Sequence, residues 1–163
     1  MSIRSPLHLV ACLFALWLCA GQAVAQGAGG GALSNPQTGV AGVYTAQTVI
    51  TDHPHHVLLG HVIIVTRGAV TVRALVIGQR RDGVHRLRYA EAWSGGVELP
   101  FRRHYGRDCT HGHCRDNAIG MIFLSDALFD RAVAQGLTAR LIGTSGAIDI
   151  AAPAALFRAA SAM

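Results

Sequence analysis

Residues 57–78 read VLLGHVIIVTRGAVTVRALVIG, and this run decides the fold. Val62 to Val65 is apolar at every position, as in a strand covered on both faces. Val70, Val72, Ala74 and Val76 alternate with Thr71 and Arg73, the period of a half-buried strand. Working outward, β-branched and aromatic runs punctuated by Gly, Pro and Asp recur from Val43 onward. They predict strands near 42–50, 57–66, 69–78, 84–93, 97–103, 117–124, 137–143 and 147–151. Leu87, Tyr89 and Trp93 alternate with Arg86 and Arg88 as a second half-buried strand, and Ala118 to Leu124 joins Val62 to Val65 as the expected centre of the core.

Two helices are expected late in the chain. Ser125 can cap the first, Asp126 suits its positive end, Leu128, Phe129, Ala132 and Val133 form one stripe, and Gly136 can close it. The second begins at Pro153 and turns Leu156 and Phe157 inward. Gly143-Thr144-Ser145-Gly146 has the length and composition of a hairpin turn. The fold class is therefore mainly β, an antiparallel β-sandwich of about seven or eight strands with two short helices near the C-terminus.

At the other end, Arg4, the apolar run Leu7 to Leu18 and the small-residue box Ala23-Val24-Ala25 have the form of a cleavable export signal over residues 1–25. The run is shorter than the roughly 20 residues of a membrane anchor, and Cys19 follows Leu18 rather than the small residue of a lipoprotein signal. Cleavage near Ala25 would leave a periplasmic or secreted protein with no further transmembrane segment. Residues 26–40, rich in Gly and Ala with a single Leu, read as a flexible linker, and 41–163 as a single β-rich domain.

The chain has no lysine; its basic residues are fourteen arginines. Loss of Arg4 leaves thirteen against nine carboxylates, a mild excess that favours anionic surfaces without predicting specific nucleic-acid binding. Cys12 and Cys19 leave with the signal, so Cys109 and Cys114 remain as a pair in an oxidising compartment, where a disulfide is the expected state.

Cys109 and Cys114 are followed by the apolar strand, then Leu124-Ser125-Asp126-Ala127-Leu128, Gly136, the hairpin and a closing helix with Phe157, Ala159 and Ala160. This order is similar to the C-terminal part of the invasion-associated locus B family, small exported proteins of proteobacteria. The chain departs from the family between Ala151 and Ala155, which hold neither the Ser-Leu nor the Gly-Phe pair found there. The resemblance spans the C-terminal third and implies an exported β-rich domain linked to host contact, with no catalytic residues to carry over.

Histidines cluster twice. Asp52, His53, His55 and His56 with His61 form one group, and His111 and His113 between the cysteines form another. Imidazole suits zinc or copper, and a tetrahedral site needs three or four ligands converging at about 2 Å. One candidate metal site is the first group completed from the second across the fold; the competing reading is a polar turn at Asp52-His53-Pro54. Arg102, Arg103, His104, Arg107 and Arg115 are candidates for an anion or partner surface, with strand faces turned to solvent as the alternative.

No Gly-x-Ser-x-Gly elbow, His-Glu-x-x-His helix or phosphate-binding glycine loop is present, and Glu91 and Glu98 are the only glutamates. The expected function is non-catalytic and cofactor-free: an exported binding or surface-interaction protein, meeting an anionic envelope component or another exported protein through a loop at 102–115. The alternative is a histidine-based zinc or copper accessory protein.

Overall fold

The computed structural model describes residues 29–51, 53, 57–79, 88–110 and 113–163, with backbone alone for 104–110 and 113–119. The expected signal, residues 26–28 of the expected linker and the start of the strand expected at 84–93 lie outside the described residues.

Among the described residues, eleven strands and two helices follow in order: β1 (Gly31–Asn35), β2 (Val40–Tyr44), β3 (Thr48–Val49), β4 (Leu58–Arg67), β5 (Val70–Gln79), β6 (Tyr89–Ser94), β7 (Val97–Leu99), β8 (Phe101–Thr110), β9 (His113–Leu124), α1 (Asp126–Gln135), β10 (Leu137–Gly143), β11 (Gly146–Ala152) and α2 (Ala154–Ser161). Every ladder is antiparallel. The large sheet runs β1-β2-β4-β5-β9-β8 with β3 also on β4; the small sheet runs β11-β10-β6-β7. The mainly β class, the two sheets and the two late helices agree with the sequence reading.

The strand count is higher than expected for three local reasons. The run 42–50 divides where β2 leaves the ladder at Thr45, whose N–H donates to the Val62 carbonyl at 2.9 Å. The Thr45 hydroxyl accepts from the Val62 N–H at 2.9 Å, so both backbone groups of Val62 stay satisfied at the break. The run 97–103 divides at Pro100, which has no N–H. Third, residues 31–35, inside the expected linker, form β1. Pairing with β2 satisfies its backbone, and Tyr44 lies so close over Gly31 that a Cβ there would sit 2.9 Å from the phenol oxygen.

The main core joins one face of the large sheet (Val62, Leu75, Ile122) to the inner face of the small sheet (Leu141, Ile150) and to Phe129 and Phe157 of the helices. The opposite face of the large sheet carries a second buried cluster, Ile63, Ala74, Val76 and Met121, flanked by Tyr44, Val65 and Phe123. Strand β4 is thus apolar on both faces, as its sequence implies. Strand β5 differs from expectation: Ala74 to Ile77 are all buried, so it is covered on both sides. Arg73 is accommodated because its guanidinium pairs with Asp126 and lies 5.4 Å from the Phe129 ring centroid, tying β5 to the start of α1.

The helices form as their sequences direct. The Ser125 hydroxyl accepts from the Leu128 N–H at 3.3 Å, and Gly136, at φ 83°, donates to Ala132. Thr144 and Ser145 form the two-residue turn between Gly143 and Gly146. The segment expected as a loop at 102–115 is instead mostly strand: β8 continues to Thr110 and β9 begins at His113.

Candidate binding face of the small sheet

Of the candidate metal ligands, His53, His61 and the backbone of His113 lie among the described residues. His61 lies on β4, opposite Val76, in the row that continues to Met121 on β9 and Arg102 on β8. It is half-buried, and that burial pushes its imidazole below the ordinary value of 6.5. His53 is exposed, with its backbone N–H donating to the Thr51 hydroxyl at 3.3 Å. His113 stands eight residues along β9 from Met121, roughly 26 Å of strand. His61 and His113 therefore cannot share one ion. Asp52, His55, His56 and His111 lie outside the described residues, and among those described no three metal-ligating side chains gather.

Of the candidate anion residues, Arg102 and Arg103 have described side chains. Arg102 and Arg103 are neighbours on one strand and so face opposite sides of the sheet. Arg102 is exposed, while Arg103 donates to the Tyr89 carbonyl at 3.5 Å. His104 is a backbone partner of Ile119. Further along, the ladder sets Arg107 opposite Asp116 and Asp108 opposite Arg115, so each arginine has a carboxylate residue as its cross-strand partner. The sequence Arg-Asp-Cys at 107–109 and Cys-Arg-Asp at 114–116 was the signal for this hairpin: an antiparallel turn converts the repeated Arg-Asp into complementary pairs.

Cys109 and Cys114 are cross-strand partners in the same ladder. The Phe123 N–H donates to the Pro100 carbonyl at 2.9 Å, which makes that pair a hydrogen-bonded one. Alternation along the ladder then puts Cys109 and Cys114 at a non-hydrogen-bonded position, where Cα atoms approach to about 4.5 Å.

The sequence reading missed a face that the small sheet presents outward. Across it run Asp149 (β11), Arg140 (β10), Trp93 (β6) and Glu98 (β7), each the register partner of the next. Arg140 holds Asp149 through two hydrogen bonds of 2.8 Å, which lower the Asp149 carboxyl and raise the guanidinium. The Trp93 indole N–H donates to Glu91 at 3.0 Å. Glu91, Glu98, Arg140 and Asp149 are exposed, and Trp93 is half-buried and belongs to neither apolar cluster.

Trp93 was expected to face inward with Tyr89. A β-bulge decides otherwise. Gly143 pairs with Tyr89 and Ile142 with Glu91, leaving Ala90 as the extra residue. The alternation shifts there, so Tyr89 and Ala92 enter the core and Trp93 turns out. Gly143 permits this, because a Cβ at that position would lie 2.0 Å from the Arg88 carbonyl oxygen and 2.6 Å from the Tyr89 Cα.

No family model matches the chain. No curated protein and no solved structure matches it either.

Proposed function

We propose that this chain is an exported, non-catalytic binding domain that meets its partner through the arm formed by β8 and β9. The observation that carries the reading is the extent of the ladder. Pairing between β5 and β9 stops at Gly78 opposite Ile119, while β8 and β9 stay paired to Thr110 opposite His113. Among the described residues, 113–118 pair with β8 alone, an arm of about 20 Å. A two-stranded ribbon is marginal by itself. A Cys109–Cys114 bond would hold its end, and export supplies the oxidising compartment where such a bond persists. Pre-ordering the arm lowers the entropic cost of binding through it.

The composition of residues 1–25 and the C-terminal resemblance to the invasion-associated locus B family support the same reading. Photo-crosslinking in the producing cell tests it, with the reactive residue placed at Thr110 or, as control, at Thr144. A discrete envelope adduct from Thr110 alone, reduced when both cysteines become serine, is the expected result. Equal labelling from both positions, or a chain that stays in the cytoplasm with Met1 attached, refutes it.

A further inference from the structure

We infer that Trp93, Glu91 and Glu98 form a docking site for an arginine side chain on a partner protein. This site is on the small sheet and does not depend on the arm. The bulge at Ala90 turns outward the only tryptophan among the described residues. Both glutamates of the chain flank it: Glu91 accepts the indole N–H, and Glu98 is its direct cross-strand partner on β7. Neither glutamate has an ion-pair partner among the described residues. Arg140, the neighbour on the other side, is already engaged by Asp149. In a chain of formal net charge +5, this face carries a local excess of negative charge beside an aromatic ring.

The chemistry selects the occupant. An indole face attracts a cation through its quadrupole, and carboxylates reward a cation that also donates hydrogen bonds. A neutral sugar could lie on the ring but gains nothing from the charge. A tetraalkylammonium could use the ring but has no N–H for the carboxylates, and among the described residues one ring stands where such ligands are usually caged by several. A guanidinium does both, because its plane stacks on an aromatic face while its edge forks to a carboxylate; an ammonium matches only the charge. The site lies on an open sheet face, so it suits a side chain carried on another protein's surface.

The test uses the full chain labelled with nitrogen-15, whose two indole signals, from Trp17 and Trp93, are told apart with Trp93→Phe. A Gly-Arg-Gly-Arg-Gly peptide should move the Trp93 signal saturably, its lysine analogue should bind more weakly, and its citrulline analogue about tenfold more weakly or worse. Glu98→Gln should weaken arginine-peptide binding about fivefold with an unchanged melting temperature, and Trp93→Ala should do the same if it folds. Equal binding of the citrulline peptide, or no effect of Glu98→Gln, overturns the assignment. A response to a neutral oligosaccharide alone, or a Trp93 signal that moves with protein concentration and not with peptide, also overturns it, in favour of a sugar or a second copy.

Discussion

Cys109 and Cys114 stand directly opposite one another on β8 and β9, one pair short of the last rung of the ladder. Their non-hydrogen-bonded position brings Cα atoms within the range that a disulfide spans. The protein purified from an oxidising compartment should therefore have a mass lower by two hydrogens than the reduced chain. Replacing both cysteines by serine should cost about 2 kcal/mol, because the closed loop is short. A free-thiol assay together with urea unfolding checks both; two reactive thiols at Cys109 and Cys114 in the native protein so prepared would contradict them.

Phe157 has no exposed surface and meets Phe129 edge-on, with ring centroids 6.2 Å apart. It joins α2 to the main core, so Phe157→Ala should destabilise the fold by about 3–5 kcal/mol. A loss below 1 kcal/mol in urea melts, on the order of an exposed substitution, would mean that the C-terminal helix contributes little to the core.

Burial lowers the His61 pKa in the folded chain, whereas the unfolded chain titrates near the ordinary 6.5. Below that value the unfolded state binds a proton that the folded state resists, so stability falls as pH drops from 6.5 toward the depressed folded value and levels off beneath it. The melting temperature of wild type should decline between pH 7.5 and pH 5, and His61→Leu should flatten that decline. An unchanged slope in the leucine variant would remove His61 from the account.

Gly143→Ala should destabilise the small sheet, since its methyl group would collide with the backbone of Arg88 and Tyr89. Overpacking of this kind costs about 1–3 kcal/mol or more. The Trp93 environment should change with it, because the bulge that turns Trp93 outward lies opposite Gly143. A wild-type melting curve and an unshifted Trp93 indole signal would show that the bulge does not need glycine there.

Much of the fold could be read in the chain. The apolar positions of β4 marked a strand covered on both faces, and Ser125, Gly136 and Pro153 marked helix ends, because these signals act within a few residues of themselves. The site was far less legible. The histidine and arginine groupings were neighbourhoods in sequence, and strand geometry separates the described pairs among them: Arg102 and Arg103 are adjacent and face opposite sides, and His61 and His113 sit at distant points of one sheet. Conversely, Trp93, Glu98, Arg140 and Asp149 are neighbours only across strands.

By itself the sequence determined the kind of structure: antiparallel strands, two late helices and the turn at Thr144-Ser145, all set by local periodicity, capping and turn chemistry. Tertiary structure alone decided which faces those strands present. Pairing β6 with β10 placed a bulge at Ala90, and a shift of one residue sends every later side chain to the other side of a sheet, so the outward turn of Trp93 depends on a contact between segments about fifty residues apart.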